Sequence, residues 1–319
     1  MKKNLFLLGL LICSMATIAQ TQTTDKPESW YFKLGGSYFM QTAATEFPTV
    51  SGALPNTDVY AADGTTLVSR ETNHGSFGEG FRSGLTAGYR FSPRLGVELG
   101  LNYFSSASKT MVETTNRLVA AGPTFATGRA EGRIRAFDVA PALVMFLGEA
   151  HGFEPYTKVG VIVPVHGDLT IETNRTYTNP AGVTKTYTKD VVKPNPTVGF
   201  LAAIGTSYKL GTHISIFAEL EYRNFTVHGK TKETEVYTEN GVDKLNTPTT
   251  FRADASYSAS HVDYVKQLNS TSNNPLFNPN TATTTIPGDT TRPNEAMNDI
   301  SSFVGISGLG LTFGLKYSL

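Results

Sequence analysis

Leu309-Gly310-Leu311-Thr312-Phe313-Gly314-Leu315-Lys316-Tyr317-Ser318-Leu319 alternates at every step between an apolar side chain and a small or polar one. A period of two means an extended strand with one apolar face and one polar face. Such a strand suits a wall whose outer side meets lipid and whose inner side meets a polar lumen, the construction of a transmembrane β-barrel.

The other end of the chain agrees. Met1-Lys2-Lys3-Asn4 is basic, residues 5–12 are apolar, and Thr17-Ile18-Ala19 offers small residues before Gln20. This predicts a secretory signal peptide over 1–19, removed near Ala19, and a barrel domain over 20–319. The apolar run is far below the ~20 residues of a membrane-spanning helix. Cys13, the only cysteine, lies inside this segment, and Ile12 is bulky where a lipoprotein signal wants a small residue. The mature chain has no cysteine, which excludes disulfides, thiolate catalysis and thiolate metal sites.

Lys and Arg together number 27 and so do Asp and Glu, giving a formal net charge of zero. No basic patch stands out, so no nucleic-acid partner is expected. Mean hydropathy is slightly negative. A β-barrel can hide in such a composition because only alternate residues face lipid, and the abundance of Gly, Thr, Tyr and Phe suits twisted strands with aromatic girdles.

The alternation recurs along the chain. Strands are predicted over about 30–41, 81–91, 95–106, 133–147, 154–169, 197–208, 213–230 and 309–319. In the first, Trp30, Phe32, Leu34, Tyr38 and Met40 oppose Lys33, Gly35 and Ser37; in the seventh, Ile214, Ile216, Leu220 and Tyr222 oppose Ser215, Phe217, Glu219, Glu221 and Arg223. Pro164 removes a ladder donor, so a bulge is expected near it. Long polar connections (about 42–80, 109–131, 171–196 and 231–301) alternate with short ones (92–94, 148–153 and 209–212). A soluble sandwich has no reason to keep one end short and the other long. The expected fold is therefore all-β: an eight-stranded antiparallel up-and-down transmembrane β-barrel with short periplasmic turns and long extracellular loops, closed by pairing of the first and last strands.

These stretches resemble the eight-stranded outer-membrane β-barrel proteins, including the membrane domain of outer membrane protein A and the porin-family β-barrel domains of Bacteroidota. The resemblance rests on Trp30-Tyr-Phe-Lys-Leu-Gly-Gly, Phe81-Arg-Ser-Gly-Leu-Thr-Ala-Gly-Tyr-Arg-Phe, Glu154-Pro-Tyr-Thr-Lys-Val-Gly, Phe217-Ala-Glu-Leu-Glu-Tyr-Arg and the terminal strand. It spans essentially the whole mature chain and implies residence in the outer membrane. Leu319 stands where such barrels usually end in Phe, with Phe313 and Tyr317 nearby. The motifs identify an architecture and no activity.

The chemistry-bearing residues are the predicted inward charges: Lys33, Arg82, Arg90, Lys158, Arg223 and Lys316 against Glu98, Asp138, Glu219 and Glu221. In a narrow lumen these must pair, because an isolated buried charge is very costly. Paired, they form a salt-bridge plug that fixes register; arranged along a water-filled path, they would make a small porin-like channel or an apolar-ligand carrier. The plug is favoured, with a structural or surface-interaction role and no enzyme activity. The expected partners are outer-membrane lipid and lipopolysaccharide, and a surface protein bound through the long loops; no cofactor is expected, and the chain is expected to be a monomer.

His213 and Ser215 share a strand face, as in outer-membrane lipid A deacylases, with Glu219 and Glu221 on that face too. The pair sits beside a short turn and faces inward, the wrong end and direction for a lipid-modifying enzyme. His166, Asp168 and His228 are expected near the external rim, with the sixth strand between the two histidines. They form no compact metal-ligand cluster. The outward aromatics Trp30, Phe81, Tyr89, Phe91, Tyr103, Tyr208, Tyr222 and Tyr317 read as interfacial anchors.

Overall fold

A computed structural model describes residues 29–120, 123–195, 197–276 and 292–319. The signal peptide read over 1–19 and its Cys13 lie outside these residues. Among the described residues, seventeen strands belong to one sheet. Eight of them carry the predicted alternation: β1 (Ser29–Gln41), β2 (Gly80–Arg90), β3 (Leu95–Ser106), β4 (Thr124–Phe146), β5 (Phe153–Asn179), β6 (Gly199–Lys209), β7 (Ile214–Asn224) and β8 (Gly308–Ser318). Each pairs antiparallel with the one before and the one after, and β8 pairs back onto β1. The β1–β8 register runs from Tyr31↔Ser318 to Gln41↔Gly308. The pairing cycle leaves no strand edge along this stretch to template aggregation.

The strand faces are inverted relative to a water-soluble protein. Leu34 and Val159 are 59% and 58% exposed, while Lys33 and Glu219 are each 3% exposed. Soluble monomers rarely expose contiguous apolar patches beyond a few hundred Å². Here exposed Leu, Val, Ile, Phe and Tyr side chains occur on every strand of the cycle. Glycines admit bulk to the inside. Gly88 lies opposite Tyr31, and a Cβ there would come within 2.2 Å of the tyrosine ring. Gly310 gives Phe39 the same room, with ring atoms 2.6 Å from a notional Cβ. Both rings are thereby folded over a neighbouring strand and buried.

The short turns are as predicted. At 92–94, the Ser92 hydroxyl accepts from the backbone N–H groups of Arg94 and Leu95, and Phe91 N donates to the Leu95 carbonyl. The β4–β5 register shifts between Pro164 and His166, the irregularity expected where a proline lacks its N–H.

The long connections correct the sequence reading. The described residues of 109–131 and 171–196 are largely strand rather than loop: β4 covers 124–131 and pairs with Lys109–Ala120, and β5 covers 171–179 and pairs with Gly182–Asn195. The connection over 42–80 carries the hairpin Asn56–Tyr60 and Leu67–Thr72. The connection over 231–301 carries strands His261–Val265 and Met297–Ile300 and a short helix, Tyr257–Ser260. The seventh strand stops at Asn224 rather than near residue 230, and the following strand Thr226–Glu239 pairs instead with Gly182–Asn195. The reason is environmental. Many residues of these strands are polar on both faces, so the apolar alternation that marks a lipid-facing strand is missing, while the Thr, Val and Tyr that favour extended backbone remain.

These segments have a core of their own. Phe47, Val50, Phe77, Met111 and Val112, all from the connections, pack on Ile134, Leu169, Ile171 and Val192. The Phe47 and Phe77 rings lie 5.2 Å apart. Inside the strand cycle, Tyr31, Val144, Phe146 and Tyr156 form a separate buried cluster.

Candidate functional site: the charged interior and a cavity in the wall

Every inward charge read from the sequence is buried: Lys33, Arg82, Arg90, Glu98, Asp138, Lys158, Glu219, Glu221, Arg223 and Lys316. Period-two geometry puts them there: nine of the ten directly follow an apolar residue of the opposite face, and Lys158 follows Thr157. They come from seven of the eight strands and meet in two groups.

The larger group centres on Glu219 and Glu221 of β7. Glu219 accepts from Lys33 at 2.9 Å and from Lys158 at 2.7 Å. Lys33 also reaches Glu98 at 2.6 Å. Arg82 holds Glu221 at two points, Nη1–Oε1 at 2.6 Å and Nη2–Oε2 at 3.1 Å. Arg223 donates to Asp138 at 2.7 Å, and Asn102 donates to the same carboxylate oxygen at 2.8 Å. The Tyr156 hydroxyl donates to Glu219 at 2.7 Å and that of Tyr31 to Glu98 at 3.0 Å. These charge-assisted bonds supply most of what buried carboxylates need in place of water.

The second group lies toward the short-turn end. Glu154 accepts from Arg90 at 2.6 Å and from Lys316 at 3.1 Å. The Arg90 guanidinium lies 4.1 Å above the Phe146 ring. Glu154 was not among the predicted charges, and the expected acidic partners of Lys316 do not include it. The signal was present: Glu154, Tyr156 and Lys158 alternate as one inward row. Tyr31 and Asn102 belong to the interior network by the same alternation. A cavity of about 40 Å³ remains among Lys33, Arg82, Glu98, Lys158, Glu219 and Glu221.

The other sequence candidates fall apart or move. His213 is exposed and its ring Nδ1 lies 2.8 Å from the Ser318 carbonyl, whereas Ser215 is buried in the interior. The pair therefore does not meet. His166 and Asp168 stand 3.7 Å apart at the surface. The expected intervention of the sixth strand between His166 and His228 is overturned. β6 starts only at Gly199, and both histidines line one cavity of about 390 Å³. The reason is the pairing switch on β5, which leaves β6 after Ile162. His228 Nδ1 is buried there with no hydrogen-bond partner, a state that costs about 1–3 kcal/mol for a polar group. No group of three or more His, Cys, Asp or Glu residues placed to hold a metal occurs among the described residues.

Comparison with known proteins places this architecture. The crystal structure of the outer membrane protein OprG from Pseudomonas aeruginosa matches with 11% identity and a TM-score of 0.39, over 92% of this chain and 97% of that one. The crystal structure of Ail, the attachment invasion locus protein of Yersinia pestis, matches with 8% identity and a TM-score of 0.27, over the same 92% and 97%. Neither likeness bears on what this chain does. No curated protein matches the sequence. The model of the outer membrane protein beta-barrel domain matches residues 6–258. With most of its length so matched, its strands paired in a cycle and its apolar side chains turned outward, the chain belongs to the outer membrane protein beta-barrel domain family, and its place is the outer membrane.

Proposed function

We propose that the chain is an eight-stranded outer-membrane barrel closed across its bore by paired charges, with a structural or surface-interaction role. The short turns 92–94, 148–153 and 209–212 face the periplasm, and the strand-built connections stand outside the cell. The observation that carries this reading is the Lys33–Glu219–Lys158 bridge beside the Arg82–Glu221 fork, which ties β1, β2, β5 and β7 together across the interior. The remaining cavity of about 40 Å³ has room for a few waters. The wall contacts outer-membrane lipid and lipopolysaccharide, and the barrel is a monomer. The extracellular strands, with their own core, supply a formed surface for a partner. The chain has no catalytic role, so its expression leaves the lipid A mass profile unchanged.

Planar-bilayer recording of the refolded chain tests the closure. The wild type is expected to be electrically silent. Glu219→Gln leaves Lys33 and Lys158 with a neutral acceptor and is expected to give discrete openings. Steady wild-type conductance that changes in Glu219→Gln would replace this reading with that of a small channel.

A further inference from the structure

β5 pairs with β6 as far as Ile162↔Gly199 and resumes with the strand Gly182–Asn195 only at Leu169↔Val192. Among the described residues, 163–168 between them have a strand neighbour on the β4 side alone. Pro164 and the bulge beside it lie in this stretch. On the far side, β7 ends at Asn224, and the next strand joins Gly182–Asn195 only from His228↔Asn195. The strand pairing is interrupted here among the described residues, and the cavity of about 390 Å³ lies at the interruption. That volume lies within the ~300–1,000 Å³ usual for small-molecule sites.

Floor and rim differ in chemistry. Ile134, Leu169, Val192, Phe225, Val227 and Ile306 line the interior side; the first five are buried and the last is partly buried. The rim carries His166, Asp168, Lys193, His228 and Lys230. Lys193 and Lys230 are exposed and make no ion pair among the described residues. Asp168, the one rim carboxylate among the described residues, already has His166 at 3.7 Å. The rim is therefore cationic in balance. His228 adds a buried ring nitrogen with no partner. An apolar slot under a cationic rim selects a molecule with one apolar tail and one anionic head. We propose that this cavity binds a single-chain anionic amphiphile of the fatty-acid class, its alkyl chain on the Val227 floor and its head group against Lys193 and Lys230. This goes beyond the proposed closure of the bore, which does not involve these residues.

The test is titration of the full refolded chain, in zwitterionic detergent, with a fluorescent undecanoate and its displacement by laurate. Saturable binding at one probe per chain is expected. Val227→Trp, which puts an indole into the slot, should weaken binding at least tenfold. Lys193→Glu combined with Lys230→Glu alters only exposed side chains and keeps the barrel assembled. It should weaken laurate at least tenfold and leave dodecanol unaffected. Equal binding by wild type and Val227→Trp, with the latter folded by its heat-modifiable gel mobility, would overturn the site. If Val227→Trp does not fold, laurate binding unchanged in the double lysine variant overturns it. Wild-type affinity for dodecanol matching that for laurate would overturn the anionic selectivity. Displacement of the probe by laurate alone identifies a free fatty acid as the source. Equal displacement by lysophosphatidylglycerol identifies a membrane lipid, and both results sustain the site.

Discussion

Arg82 on β2 and Glu221 on β7 face each other across the interior as a two-point fork, with contacts of 2.6 and 3.1 Å. Glu221 also lies 3.5 Å from Arg223 Nε and 3.8 Å from Lys158. Removing one member of a buried ion pair strands the others, at a cost of about 3–5 kcal/mol. Glu221→Gln should lower the guanidinium unfolding midpoint accordingly, followed by fluorescence of the single tryptophan, Trp30. Arg82→Lys keeps the charge and loses the fork, so its loss should be smaller. An unchanged midpoint in Glu221→Gln would mean that the fork does not form.

The medium facing the wall can be read by placing one substitution in two settings. Leu34 on β1 and Val183 in the strand Gly182–Asn195 are comparably exposed. Leu34→Arg should cost about 2–4 kcal/mol in vesicles, as lipid-facing arginines do. Val183→Arg lies on the water-exposed extension and should change stability by less than about 0.5 kcal/mol. Similar costs at the two positions would contradict a lipid boundary between them.

Phe77 is fully buried against Phe47, within the core built by the long connections. Phe77→Ala should remove about 3–5 kcal/mol of local stability. Hydrogen exchange should show the amides of Lys109–Ala120 and Gly182–Asn195 losing protection while β1 and β8 keep theirs. Uniform loss across all strands would show that the extension and the barrel unfold together.

The Asp63 carboxylate sits at the tip of the hairpin between Asn56–Tyr60 and Leu67–Thr72. The Thr66 hydroxyl, followed by the backbone N–H groups of Thr66 and Thr65, holds its pKa well below the usual carboxylate range. The folded value is depressed, so the stabilisation is complete above the unfolded value of about 3.9 and is lost as pH falls through the folded value. Amide protection at Thr65 and Thr66 should therefore be flat from pH 7 to about pH 4 and decline only below. In Asp63→Ala that acid step should vanish. A step near pH 6 would be inconsistent with the capped turn.

Much of the barrel was legible because lipid imposes a rule on alternate residues. Leu34, Leu85, Leu220 and Phe313 mark the outside, and Lys33, Thr86, Glu219 and Thr312 follow from the same period. Glu154 escaped the inward set although it stands two residues before Tyr156 and four before Lys158 in the same row. The extension was less legible. In Gly182–Asn195, Thr184, Thr186, Thr188 and Lys189 offer no apolar face to count, so a paired strand looks like a polar loop.

The sequence by itself determined which residues point inward and outward, that the inward charges need partners, and that Pro164 breaks the ladder. Each follows from local geometry: a fixed two-residue period, a missing N–H, and the cost of burying a lone charge. Only the tertiary structure decided who meets whom. It gave Lys316 to Glu154, folded Phe47 and Phe77 onto strands far along the chain, and brought His166 and His228 to one cavity where β6 falls short. Those outcomes depend on strand lengths, register and crossing of distant segments, which no local period encodes.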